Sequence, residues 1–222
     1  MPPAKESATW HAHYGDEKAI ARRRRDIGEK LDRLGVGATS RDAKILDVCC
    51  GHGETLESLY SLGFRNLHGV DLKLPGTLLA DARFAVKEGD ALRLDYHDAS
   101  FDGVFCIHSL HHLAKAENVQ RFLEQAYRVL RPGGRLFIID FPASTQIRVA
   151  FWLFRQNSFL ITPYLQWFGK IIQEEWWFLK GYLSQWPQVR RQLLEGPFTV
   201  ERHQPRFFYY YLTLRKPDFV AG

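Results

Sequence analysis

From Lys44 onward the apolar positions alternate between two rhythms. Lys44–Cys50 (KILDVCC), Asn66–Leu72 (NLHGVDL), Phe84–Gly89, Phe101–Ile107 (FDGVFCI) and Arg135–Phe141 (RLFIIDF) are short apolar runs, the mark of strands buried on both faces. Between them, Glu54–Leu62 carries apolar residues at helical spacing and meets Gly63 as a C-cap. Ala116–Leu130 reads as a strong amphipathic helix, stopped by Arg131-Pro132-Gly133-Gly134. Lys73–Arg83 contains Pro75-Gly76 and leaves room for only a short helix. Repeated βα units of this kind require a mostly parallel sheet with right-handed crossovers. Phe198–Gln204 and Arg206–Arg215, split by Pro205, add an antiparallel hairpin at the sheet edge. The predicted fold is α/β: a Rossmann-like, doubly wound, mostly parallel seven-stranded sheet with a helical insertion after strand five.

The chain divides into a polar helical extension over 1–43, a ligand-binding core over 44–143, an aromatic-rich helical insertion over 144–196 and a strand pair over 197–217. All belong to a single domain, since 222 residues suffice for one full core and not for two ordinary ones. Five of the six tryptophans fall between Trp152 and Trp186, so something local is built in the insertion. The net charge of +5 owes much to Arg22-Arg23-Arg24-Arg25, read as a solvated helix face balanced by Asp16, Glu17, Asp26, Glu29 and Asp32. An anionic docking partner is the competing reading; without a recognised module, four arginines argue against nucleic acid. Cys49, Cys50 and Cys106 are odd in number and contain no CxxC, which fits reduced cysteines in a cytoplasmic protein. The first residues lack a signal-peptide core. Ile147–Ile161 is broken by Arg148, Arg155 and Gln156 and is shorter than the ~20 residues of a spanning helix. That excludes a transmembrane helix, leaves peripheral membrane contact open, and says nothing of oligomeric state.

Chemistry concentrates at the strand ends. Leu46-Asp47-Val48-Cys49-Cys50-Gly51-His52-Gly53-Glu54-Thr55 is a strand, a glycine turn and a helix start, where a ligand can lie directly against backbone. The dinucleotide fingerprint competes, but it wants a third glycine where Leu56 stands. Asp47, four residues before Gly51, can accept a hydrogen bond from an ammonium group. Asp71, ending the second run eighteen residues beyond Gly53, suits two ribose hydroxyls. Asp90 followed by Ala91 can offer a carboxylate to an adenine amino group and a backbone N–H to a ring nitrogen. Phe101-Asp102-Gly103-Val104 with Ile107-His108-Ser109-Leu110-His111-His112-Leu113, and Arg128-Val129-Leu130-Arg131-Pro132-Gly133-Gly134, complete an ordered set of five motifs.

In this order and spacing the set resembles the class I S-adenosylmethionine-dependent methyltransferases of small-molecule type, particularly the group with the ubiquinone and menaquinone C-methyltransferases. The resemblance covers about residues 42–142. It implies S-adenosylmethionine as cofactor and S-adenosylhomocysteine as product. Asp47, Cys49, Gly51, His52 and Gly53 then form the turn under the methionine moiety. Asp71 and Leu72 take the ribose side, Asp90 and Ala91 the adenine, and His108 approaches the methionine end. Cys49 departs from the usual first glycine, tolerable if its side chain turns into the core.

A sulfonium methyl is already an activated electrophile, so the enzyme's task is in-line placement of a nucleophile and exclusion of water. His111 and His112 face the reacting methyl on this reading and are the candidate catalytic pair, as base or orienting group; packing or helix capping is the alternative. His108 and His112 stand at i, i+4, but no third ligand has suitable spacing, so no metal is expected. An Asn/Asp-Pro-Pro-Tyr/Phe sequence is absent after strand four, where Ile107-His108-Ser109-Leu110 stands, which argues against exocyclic amines of nucleic acid as acceptors. The ring-dense insertion, with Trp176 and Trp177, and Trp10 and Tyr14 in the N-terminal extension as a lid, suit a small lipophilic or aromatic acceptor. The alternatives are a protein or membrane-lipid acceptor, or a docking subunit that binds cofactor without turnover.

Overall fold

A computed structural model describes residues 26–156 and 163–218. Residues 26–33 are helical (α1), and a single 3-10 turn at Val36–Ala38 leads to β1 (Lys44–Val48). The alternation follows as expected: α2 (Glu54–Ser61), β2 (Asn66–Asp71), α3 (Gly76–Leu79), β3 (Ala85–Glu88), β4 (Phe101–Ile107), α4 (Ala116–Val129) and β5 (Leu130–Asp140). Among the described residues of the insertion are four helices: α5 (Thr145–Gln156), α6 (Pro163–Glu174), α7 (Trp176–Ser184) and α8 (Trp186–Leu194). β6 (Thr199–Pro205) and β7 (Tyr210–Arg215) close the sheet.

The strand order is β3-β2-β1-β4-β5-β7-β6. β1, β2, β3, β4 and β5 pair in parallel, while β7 joins β5 and β6 antiparallel. The order reverses at β1, which has β2 on one side and β4 on the other, and the crevice beyond those strand ends is where an open α/β sheet binds its ligand. The hairpin sits at the sheet edge as expected. Its second strand takes the inner place, and Tyr210 pairs with Asp140, so the 206–209 turn lies at the ligand end of the sheet.

Two apolar clusters cover the two faces. On one, Val119, Phe122, Leu123 and Ala126 of α4 join Phe151, Ile172, Leu179, Tyr182 and Leu193 of the insertion. On the other, Ile27, Leu31 and Leu34 join Leu56, Leu59 and Phe105. α4 buries Ala116, Val119, Phe122, Leu123, Ala126 and Val129, the 3- and 4-residue spacing of a single helical stripe. One boundary differs from expectation. Arg131–Gly134 ends α4 but lies inside β5, because Leu130 already pairs with Phe101 and the register then shifts to Gly103 with Arg135. Gly133 adopts φ 76° there, and its N–H donates to the Lys216 carbonyl at 2.9 Å.

Candidate functional site

The turn after β1 is held from both sides. The Gly51 N–H donates to Asp71 Oδ2 at 2.8 Å, the Cys50 N–H to the Val70 carbonyl at 3.1 Å, and the Gly53 N–H to the Cys50 carbonyl at 2.8 Å. Gly51 has φ 50°, and a Cβ placed on it would meet no atom within 4 Å, so its backbone faces open space. Gly53 is glycine for the opposite reason: φ is 81°, and a Cβ would stand 2.7 Å from Leu78 Cδ1. Cys49 occupies the left-handed region at φ 58°, the conformation a glycine would adopt freely. Its side chain is half-buried against the core, as its substitution for glycine requires, and burial together with Asp71, Asp47 and Asp90 pushes its thiol far above the usual range. His52 is half-buried on the same turn.

Asp47 is 1% exposed, and its Oδ2 has no hydrogen-bond partner. Burial first, then the Asp71 and Glu54 charges, raise its carboxyl well above the normal range. A buried acid set among acids is a poor structural element but a good receptor for an ammonium group. Asp71 ends β2 beside the turn, half-buried, and Leu72 next to it leaves 75% of its surface exposed. Asp90 lies exposed beyond β3, its Oδ1 accepting from the Leu92 N–H at 2.8 Å, and Ala91 beside it is buried. An unpartnered acid, an open glycine backbone and an uncovered leucine follow one another at the strand ends.

The loop after β4 builds the other wall. His108 is also left-handed, at φ 56°, with its N–H donating to the Ile139 carbonyl at 2.7 Å. Ser109 lies between the two left-handed residues Cys49 and His108: its Oγ donates to the Ile107 carbonyl at 3.0 Å and stands 3.4 Å from the Cys49 carbonyl. Lys30 of α1 approaches His108 Nε2 at 3.2 Å and lies 4.1 Å from the centre of the Tyr209 ring, and its buried position lowers its affinity for a proton. His108 Nδ1 is buried without a partner.

Beyond it a 3-10 turn, Leu110–Leu113, places the paired histidines. His111 is 1% exposed and tied to Asp140 at the end of β5: its N–H donates to Oδ2 at 3.0 Å, and its Nδ1 lies 2.9 Å from Oδ1. The Phe141 N–H donates to the same Oδ1 at 2.7 Å. On the other ring edge, His111 Nε2 lies 3.1 Å from Oε2 of Glu175, the residue that precedes α7. Burial works against a charge on His111, but the two carboxylates outweigh it and push its pKa up to about 10. The His112 ring lies 4.3 Å from that of His111 between centres, tilted by 35°, and burial followed by the His111 charge pushes it down to about 4. As a pair these residues are a proton already held and one not taken up at neutral pH.

Rings surround this cluster. Phe141 lies 5.2 Å from His111 and 5.0 Å from Phe151, and Phe178 lies 5.3 Å from His112. α7 comes this close because Gly181 carries no side chain: a Cβ there would stand 2.8 Å from the Ala114 carbonyl. The Tyr182 and Tyr210 hydroxyls share a buried hydrogen bond of 3.0 Å, joining α7 to β7. Of the adjacent tryptophans, Trp176 is half-buried against the core and Trp177 is 53% exposed, set edge-on to Phe178. Trp10, Tyr14 and the Arg22–Arg25 run lie outside the described residues. Sequence reasoning missed Lys30, Asp140 and Glu175. An acid closing the RLFIID run was a usable signal for Asp140; nothing in Glu174-Glu175-Trp176 distinguishes Glu175.

A family model described as a methyltransferase domain matches residues 46–138. A 2-phytyl-1,4-naphtoquinone methyltransferase of Nostoc punctiforme is 29% identical over 178 residues, covering 72% of this chain and 74% of that protein. A 27-O-demethylrifamycin SV methyltransferase of Amycolatopsis mediterranei is 34% identical over 142 residues, covering 59% of this chain and 50% of the relative. The chain spans about half the length of several curated relatives it matches. Among solved structures, magnesium protoporphyrin IX methyltransferase from Synechocystis PCC 6803, with bound SAH, superposes at a TM-score of 0.62 and 17% identity over 96% of this chain and 95% of that one. That likeness is one of fold. Sheet order, the five motifs in sequence and the matched domain agree: residues 46–138 form a methyltransferase domain of the class I S-adenosylmethionine-dependent type.

Proposed function

We propose that the protein transfers the methyl group of S-adenosylmethionine to a small lipophilic or aromatic acceptor by direct in-line displacement. The observation that carries the cofactor half is Asp47, a buried carboxylate with an unpartnered oxygen beside a glycine turn whose Cβ side is open. Bound there, the cofactor supplies a sulfonium methyl that needs no further activation. The chain's contribution is placement. Asp47 would hold the ammonium end, Asp71 the ribose, and Asp90 and Ala91 the adenine, with Leu72 covering the ring. Cys49, His52 and His108 close the methionine end, where the loops after β1 and β4 meet.

The acceptor half rests on the rings packed about His111 and His112: Phe141, Phe151, Trp176, Phe178, Tyr182 and Tyr209. Apolar walls exclude water and grip a hydrophobic acceptor, with few polar groups to orient it. His111, fixed at both ring nitrogens, orients; His112 stands next to it toward the acceptor. The relatives named for a phytylated naphthoquinone and for a rifamycin support an acceptor of this chemical class.

Thermal melting with S-adenosylhomocysteine and with NAD tests the cofactor. Ligand at ~100 times its dissociation constant adds about 2.7 kcal/mol, and the sulfur cofactor alone is expected to shift the transition. A shift with NAD and none with S-adenosylhomocysteine would overturn the reading. Methyl transfer to a panel of quinols and phenols, compared with peptides and phospholipid vesicles, then tests the acceptor.

A further inference from the structure

We propose that His111, His112 and Glu175 form a binding site for a divalent cation of zinc type, with Asp140 as the outer carboxylate that orients His111. This deepens the proposed function, on which it rests only for its place beside the acceptor. One donor atom from each of the three residues lies within 4.8 Å of the others. His111 Nε2 and Glu175 Oε2 stand 3.1 Å apart, and tetrahedral bonds of about 2.0–2.1 Å set neighbouring ligands about 3.3 Å apart. Little movement would seat an ion between them.

Three further features favour a cation. His111 donates through Nδ1 to Asp140, which also accepts the His111 and Phe141 N–H groups and so cannot swing away. An ion bound there would take the place of the proton that Nε2 shares with Glu175 Oε2, while Nδ1–H stays on Asp140, the carboxylate–histidine–metal relay of protein zinc sites. Next, the charges do not close within the protein. Asp140 and Glu175 are both buried, a protonated His111 between them offsets only one of the two charges, and no lysine or arginine among the described residues is bonded to either. Two carboxylates, two neutral imidazoles and one divalent ion sum to zero. Finally, the donors come from an element after β4 and from the start of α7, with the Gly181–Ala114 approach holding those elements together. The spacing in sequence hides the site; the fold assembles it.

Three protein ligands leave a fourth position. An acceptor hydroxyl bound there would lose its proton to solvent. Its oxygen would then form the new bond to the methyl carbon, while the carbon–sulfur electron pair returns to sulfur, giving the neutral thioether. A quinol or phenol suits this position better than an unactivated carbon.

The test begins with the purified chain stripped by chelator and dialysed, then titrated with ZnCl2 against a chromophoric competitor and with CoCl2 under visible spectroscopy. One zinc per chain is expected, and one cobalt with the intense ligand-field bands of a four-coordinate site. Glu175→Gln and His112→Ala should abolish stoichiometric binding. Asp140→Asn should weaken it by roughly 10- to 100-fold, as loss of an outer carboxylate does. His203→Ala, on exposed β6, should leave it unchanged. The cobalt spectrum needs no variant, so a misfolded mutant does not spare the proposal. Only the weak bands of hexa-aqua cobalt, no zinc retained, or full binding by a folded Glu175→Gln protein would overturn it. A retained S-adenosylhomocysteine shift in the same metal-free sample would show that the metal site fails while the methyltransferase reading stands.

Discussion

Replacing Asp47 by asparagine should move two properties in opposite directions. The carboxylate is buried, one oxygen lacks a partner, and Asp71 and Glu54 repel it. In the unfolded chain the group ionises near 3.9; in the folded protein that value is raised. Between the two values the folded state binds the extra proton, so stability falls as pH rises, and above the folded value the full ionisation penalty is present. Asparagine has nearly the same shape and no charge, so it removes that penalty at neutral pH. An unsatisfied buried polar group costs about 1–3 kcal/mol, with the larger values for charged ones. The free variant should therefore melt higher, by about 2–4 °C for each kcal/mol in a chain of this size. Cofactor binding should suffer instead. A hydrogen bond to a charged partner contributes about 1.5–3 kcal/mol, which is roughly 10- to 150-fold in dissociation constant. Calorimetry with S-adenosylhomocysteine reads this directly. In the parent protein, affinity should also rise with pH through the raised Asp47 value, because ammonium binding requires the ionised acid, and asparagine should flatten that dependence. A less stable variant with unchanged affinity would refute the reasoning and make Asp47 a strut of the turn.

Trp176→Ala should lower stability by about 3 kcal/mol and impair acceptor turnover, while Trp177→Ala changes stability by less than about 1 kcal/mol and turnover little. Urea melts and steady-state kinetics check both, and equal effects at the two positions would put the pocket elsewhere. Gly181→Val should destabilise by roughly 1–3 kcal/mol, since backbone at Ala114 must give way, and should weaken acceptor turnover more than S-adenosylhomocysteine affinity. A variant as stable as the parent would mean that α7 slides freely over the 3-10 turn.

Where the signal was local, the sequence was readable. β1, α2, β4 and α4 fall within one or two residues of their predicted bounds because an apolar run or a helical stripe identifies each without reference to its neighbours. β5 starts earlier than Arg135 because pairing of Leu130 with Phe101 is a tertiary event that no property of Arg131–Gly134 announces. The same division runs through the site. Asp47, Gly51 and Gly53 sit on one continuous strand-and-turn segment and could be read as a unit. His111 and His112 were visible, but not the two carboxylates that fix His111. Asp140 reaches it from the end of β5 and Glu175 from 64 residues along the chain. Lys30 was hidden in the same way: beyond its local pair with Asp26, the groups it reaches, His108 and Tyr209, lie on separate elements.

The docking of α1 carries a consequence for how the protein is made. The segment after α1 is tied to β7: Thr213 Oγ1 donates to the Leu34 carbonyl at 2.7 Å, across 179 residues, and Lys30 lies against Tyr209 at the hairpin turn. Closing a loop of that length costs on the order of 4–5 kcal/mol beyond the constant term. At about 5–20 residues per second, the ribosome makes β7 roughly ten to forty seconds after α1. Until then, Leu31 and Leu34 lack the strand that completes their side of the sheet, and a wall of the cofactor end stands open. The nascent chain can form β1 to β5 first and must keep α1 soluble until the closing strand arrives.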